Sequence, residues 1–369
     1  MQPDMKKILC LAVIISMGAG AAELPVGPGK KFARIEAAAA AASAGDTVLV
    51  FPSANRKGYE KVALYLTKPD LTIRAAAENG KRVSLSGTEF DYSGRNFIPR
   101  AIVQFNKNAG GCVLEGFEIS GAHNGSHNGA GVRINQADNV TIRNCDIHNN
   151  DMGVMSNGDD SPNCATNQLI ENCLIHHNGD RSEPGYNHNL YLSGGSVVLR
   201  GCEIFSSLTG HNVKSRAHRI EIRDCKIHDS NNREIDLVDS IETEAPGSDA
   251  IITGCTITKD TQCPGNHGVI NFGREVRFER DGTLRLEDNT ISTPFVTSVV
   301  QLSSPQSRVV FNRNTVVSSG SQKTGMVLID AKTSTMTNAV EGAGNRISRS
   351  FAGEALDALG LKETTITEP

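Results

Sequence analysis

The chain has 369 residues, 36 of them glycine, with no tryptophan and a formal net charge of −4. So weak a charge excludes a surface built as a whole for a polyanion such as nucleic acid, and any charged ligand must be met locally. Few aromatics, abundant Gly and Asn and short Val/Ile runs exclude a large helical core and favour strands and turns.

Taken in chain order, the first element is an export signal. Lys6 and Lys7 precede an apolar run at 8–17, and the small residues Ala19, Gly20 and Ala21 follow. The run is too short for a membrane span, which needs about 20 apolar residues. Cleavage near Ala21 or Ala22 is expected. It would remove residues 1–22 and leave a periplasmic or secreted protein with no membrane span. Residues 31–44 are Ala-rich and predict a helix, and GDTVLV at 45–50 predicts a strand behind it. The helix would cap an open sheet edge.

From residue 112 onward one short pattern recurs. It reads CVLEGFEI at 112–119, VTIRNCDI at 140–147, LIENCLI at 169–175, VVLRGCEI at 197–204 and IEIRDCKI at 220–227. It continues as IITGCTI at 251–257, LRLEDNTI at 284–291 and VVFNRNTV at 309–316. Each copy is strand, polar turn, strand, with apolar and polar residues alternating as in a half-buried strand. A third strand follows each copy, at 131–135, 153–157, 189–193, 212–216, 234–238, 268–272, 299–302 and 326–329. No intervening segment has the length and period of a crossover helix. Each unit leaves an edge that only the next can pair, so the copies must stack. The fold class expected is all-β, a single-stranded right-handed parallel β-helix over 23–349 with an N-terminal α-helical cap. Residues 350–369 are expected to form a C-terminal cap and a loose tail.

Of the nine cysteines, Cys145, Cys173, Cys202, Cys225 and Cys255 share one column of the repeat, which Asn289 and Asn314 continue. Rungs lie about 4.8 Å apart, so the column reads as an inward stack of small thiols and not as disulfides. Cys164 and Cys263 fall in loops and are open to pairing. His148, His176 and His228 form a second column, interrupted by Phe205, which reads as a surface ladder.

Chemistry concentrates on three consecutive third strands. Alternation turns Val213 and Ser215 inward and Asn212, Lys214 and Arg216 outward. One coil earlier Asn189, Tyr191 and Ser193 face out; one coil later Glu234, Asp236 and Val238 do. His188, His211 and Arg233 stand at the strand entrances, and His218 lies just past Arg216. Outward positions on neighbouring coils, including Arg133, Met155, Ile270 and Phe272, carry no comparable cluster. The patch suits an anionic polysaccharide met by a monomer. A cation neutralises a uronate carboxylate and acidifies the C5 proton, a base (Lys214, His211 or His188) removes it, and an acid such as Tyr191 protonates the leaving oxygen. Arg216 or Arg233 would be the neutralising cation. Asn189, Asn212, His218, Glu234 and Asp236 would contact sugar. Glu234 and Asp236, with Asp159 and Asp160, offer oxygen ligands for a Ca²⁺ cofactor. The reading is polysaccharide lyase. Alternatives are a glycoside hydrolase using Glu234 and Asp236, about 6.8 Å apart along one strand, a C5-epimerase, or a noncatalytic glycan-binding protein.

The repeats resemble those of the pectate-lyase-like superfamily, as does the opening with GPGK at 27–30 and GDTVLV at 45–50. Val213-Lys214-Ser215 resembles the Val-Lys-Ser stretch of the chondroitinase B and alginate lyase family. That resemblance implies Lys214 as base, an arginine helper at Arg216 or Arg233, and a calcium ion on the substrate carboxylate. The family carries its calcium-binding acids upstream of the lysine, where this chain has Gly210, His211 and Asn212. The acids here come one coil later.

Overall fold

The structure is a computed structural model describing residues 20–54, 58–76, 82–275, 277–280, 282–320, 325–331, 339–351 and 356–368. The expected signal segment lies almost wholly outside the described residues. Among those described, no helix is long and apolar enough to cross a membrane.

Among the described residues the strands form three parallel sheets of 13, 12 and 10 strands. The first sheet runs from Glu23–Val26 to Leu361–Lys362, the second from Tyr59–Glu60 to Thr365–Thr367, and the third from Leu64–Leu66 to Ile329–Asp330. Each circuit of the chain lays one strand on each sheet, so neighbours within a sheet come from successive circuits. This is a solenoid.

The sharp turn between first and second sheets explains the residue before the Cys/Asn column. Asn144, Asn172, Gly201, Asp224, Gly254 and Asp288 all have positive φ there. Asn, Asp and Gly tolerate that region best. Beyond the turn, Ile119, Ile147, Ile175, Ile204, Ile227, Ile257 and Ile291 stack in the core, each fully buried. Each such side chain contributes roughly 1.5–3 kcal/mol.

The cysteine column is buried as expected, and Cys164 and Cys263 are both free thiols. Where asparagine replaces cysteine it bonds the neighbouring coil. Cys255 N–H donates to Asn289 Oδ1 (2.9 Å), and Asn289 N–H donates to Asn314 Oδ1 (3.1 Å). The His148, His176, Phe205 and His228 rings stack along the outside of the second sheet at 4.7–5.1 Å.

Three expectations need correction. The helix is shorter than 31–44. It spans Ile35–Ala41, burying Ile35 and Ala38 against the strands Glu23–Val26, Thr47–Val50 and Leu64–Leu66. The C-terminal segment is not a loose tail, because Leu361–Lys362 pairs with Gly342 and Ala343, and Thr365–Thr367 pairs with Arg346, Ile347 and Ser348.

The third correction is one of register. Ile270 and Phe272 are buried, and Asn271 faces outward opposite Asp236. The residue just before the inward Ile235, Ile270 and Val300 sits at a corner, where it and its successor both turn inward. Glu234, Val269 and Val299 occupy this one column. Alternation counted from Gly268, one residue before the corner, therefore places Ile270 and Phe272 outside, and alternation counted back from Asp236 places the corner residue Glu234 outside.

Candidate active site

The outward column of the third sheet runs Tyr191, Lys214, Asp236, Asn271 and Gln301, each directly opposite the next. Strand pairing thus brings Tyr191, Lys214 and Asp236 onto one face, with Arg216 two residues beyond Lys214. A cavity of about 430 Å³ opens there between Met155, Tyr191, Arg216, Glu242 and Phe278. Residues of the loops 156–167 and 239–249 wall it.

The electrostatic centre is Lys214. Its ammonium lies 3.6 Å from Asp236 Oδ2 and also pairs with Glu275. Arg216 Nη2 donates to the other oxygen of Glu275 at 2.6 Å. Glu275 comes from the loop after Ile270–Gly273 and escapes a repeat-based search. The widest gap between repeat copies, from Cys255 to Asn289, is the only sequence signal of that loop. Asp239 anchors it by accepting the N–H groups of Glu275 (2.5 Å) and Phe278 (2.7 Å). Burial alone would raise the Glu275 carboxyl, but Lys214 and Arg216 outweigh it and hold it below the usual range.

Asp236 is almost fully enclosed. Burial opposes its charge, yet His211, Lys214 and Arg233 together keep it below the ordinary carboxylate range. Arg233 reaches Asp236 Oδ1 at 3.2 Å and Gln301 at 3.1 Å. His211 Nε2 lies 3.2 Å from Asp236 Oδ2. Burial first, then the nearby cations, push His211 down to about 4 against the pull of Asp236. His188 is pushed well below its ordinary value, again chiefly by burial, with His211, Lys214 and Arg216 adding to it. His188 Nδ1 accepts the backbone N–H of His211 at 3.0 Å. Its own proton must therefore sit on Nε2, which removes it as a base at that atom. Tyr191 packs edge-on to His188 at 5.4 Å with Arg216 5.6 Å above its ring, and burial raises its phenol, which stays protonated.

Four expected contact residues lie elsewhere. Asn189, Asn212 and Glu234 occupy the inward corner column and are fully buried. Asn178 donates to Asn189 (2.9 Å), Asn189 to Asn212 (2.8 Å) and Asn212 to Glu234 (2.6 Å). The ladder ends on Lys259, 3.4 Å from Glu234 and equally buried. Burial raises the Glu234 carboxyl to about 7, with Lys259 opposing. Glu234 is thus unavailable to substrate and does not form a hydrolase pair with Asp236. His218 donates from Nδ1 to the Glu242 carbonyl at 3.0 Å and so braces the cavity wall.

The residues do not fit a calcium ion. Glu234 faces Lys259 and Asn212, and Asp236 faces three nitrogen groups. Asp159 accepts the Ser161 hydroxyl (3.0 Å). No group of three or more His, Cys, Asp or Glu side chains among the described residues is arranged to hold a metal.

Residues 163–345 match the family model described as right handed beta helix region. The chain is a right-handed parallel β-helix. No curated protein matches it. Among solved structures, the β-helix is similar to pectate lyase Pel9A at 13% identity, covering 87% of this chain and 82% of that one, with a TM-score of 0.53. It is similar also to the alginate lyase from Paenibacillus sp. str. FPU-7 at 15% identity, covering 84% of this chain and 99% of that one, again with a TM-score of 0.53. At these identities the likeness shows the fold and nothing of the chemistry.

Proposed function

We propose that this β-helix is a polysaccharide lyase that cleaves a uronic-acid-containing polymer by β-elimination in the groove over Tyr191, Lys214 and Arg216. One observation carries the reading: Lys214 and Arg216 jointly grip a single carboxylate, that of Glu275, and Arg216 lines an open cavity beside it. A uronate carboxylate has the same charge and shape and would take its place. Neutralising that carboxylate stabilises the carbanion character that develops at C5. Lys214, once it has given up a proton to solvent and stands as the neutral amine, takes the C5 proton, and the protonated Tyr191 phenol donates to the leaving O4. Asp236, fixed by Arg233 and His211, orients Lys214. The local resemblance of Val213-Lys214-Ser215 to the chondroitinase B and alginate lyase family agrees with Lys214 as base.

The test is a panel of alginate, pectate and glycosaminoglycans followed by near-ultraviolet absorbance of the unsaturated product. One polymer should yield that product, and Lys214→Ala should lose activity by roughly 10²–10⁴-fold. Reducing ends without absorbance would mean hydrolysis, and C5 isotope exchange without cleavage would mean epimerisation. Either result overturns the elimination reading.

A further inference from the structure

The same face of the third sheet extends past the catalytic cluster toward the N-terminus. There a second cavity of about 400 Å³ opens between Tyr65, Phe97, Arg100, Gln104, Arg133 and Asn135. One outward column of the sheet links its lining to that of the first. Tyr65 lies opposite Gln104, Gln104 opposite Arg133, Arg133 opposite Met155, and Met155 opposite Tyr191. Asn157, at the first cavity, donates to Asn135, at the second, at 2.7 Å. Arg133 and Lys214 stand three rungs apart, about 14 Å at the usual strand spacing.

The charge pattern sets this cavity apart. Lys214, Arg216 and Arg233 all pair with carboxylates. Arg100 and Arg133 form no ion pair among the described residues. Arg133 reaches only neutral acceptors, Met155 sulfur at 3.1 Å and Asn157 Oδ1 at 3.4 Å. Burial, then the like charge of Arg100, pushes Arg133 down to about 10. Two guanidiniums held together without a counter-charge are unfavourable alone and favour an anion between them. Beside them are two aromatics in solvent, Phe97 91% exposed and Tyr65 45% exposed. Asn96 and Phe97 both adopt left-handed φ, at 51° and 65°. That conformation is uncommon for a bulky residue and clusters where a ligand is clamped.

We infer that this cavity is a distal subsite for a carboxylated sugar, with Arg100 and Arg133 on the carboxylate and Phe97 and Tyr65 stacked on the ring. The inference rests on the uronate reading for its sugar class. It adds that the polymer lies along the helix axis and reaches the catalytic cluster several sugar units away. A neutral glycan would leave the arginines without an anion. A free anion would make no use of the aromatics.

The experiment is calorimetric titration of the full chain, in a Lys214→Ala background that prevents turnover, with uronate hexamers and their carboxyl-reduced counterparts. Arg100→Gln with Arg133→Gln should weaken uronate binding at least about tenfold and leave the carboxyl-reduced hexamer unaffected. Phe97→Ala, whose side chain lies in solvent and cannot disturb the fold, should weaken both ligands several-fold. Unchanged uronate affinity in both variants, or no hexamer binding at all, would overturn the subsite. Unsaturated product formed by a chain whose affinity ignores these residues would sink the subsite and leave the lyase standing. Hexamer binding through the arginines with no product from any polymer would do the reverse.

Discussion

The Glu275 carboxylate lies 2.6 Å from the Arg216 guanidinium and also pairs with Lys214, so a side chain of the protein fills the place proposed for a substrate carboxylate. Substrate must displace it. Glu275→Gln removes the competing charge but keeps the shape. It should lower KM for the polymer by up to about tenfold, the scale of one charge-assisted hydrogen bond at a part-exposed site. A raised KM measured in steady-state kinetics would mean that Glu275 helps bind substrate.

Arg216→Ala should cost roughly 10²–10³-fold in kcat, because the charge it neutralises grows in the transition state. Arg216→Lys should recover part of that loss. An effect confined to KM would move Arg216 from the reacting carboxylate to simple binding.

The buried histidines predict a pH dependence of stability. Burial holds His211 down at about 4, against an ordinary value of 6.5. Between those values the unfolded chain binds a proton that the folded chain refuses. Stability therefore falls as pH drops from about 6.5 to about 4. His188 acts in the same direction. Glu234, raised by burial to about 7, contributes the opposite slope between its ordinary value of 4.5 and 7. Thermal midpoints of the wild type and of His211→Gln, compared across this range, isolate the histidine term. The variant should show the shallower acid loss.

Lys259→Met strands the buried Glu234 carboxylate and should destabilise the fold by about 3–5 kcal/mol, read by denaturant titration. Glu234→Gln should keep activity, since that side chain closes an internal ladder and does not line the groove. Loss of activity in a fully folded Glu234→Gln protein would restore the hydrolase alternative.

A chelator should leave the rate unchanged, because Glu234 and Asp236 are each engaged by nitrogen groups and not grouped as oxygen ligands. Recovery of a chelator-inactivated enzyme by added calcium would require a site built from other residues.

Stacked strands make an amino-acid column visible as a repeat, so the coil, the cysteine stack and the Tyr191–Lys214–Asp236 alignment were all readable from spacing and period-2 alternation. Alternation is a local rule, however, and it fails at the corners. There the backbone bends and two successive side chains turn inward, which hid Asn189, Asn212 and Glu234, while a strand begun one residue early at Gly268 misassigned Ile270 and Phe272. The partners of the central cations were likewise beyond its reach. Glu275 arrives on a loop anchored by Asp239, and Arg100 meets Arg133 across separate circuits of the chain. Such loop placements depend on packing between residues far apart in the chain, and no repeat period encodes them.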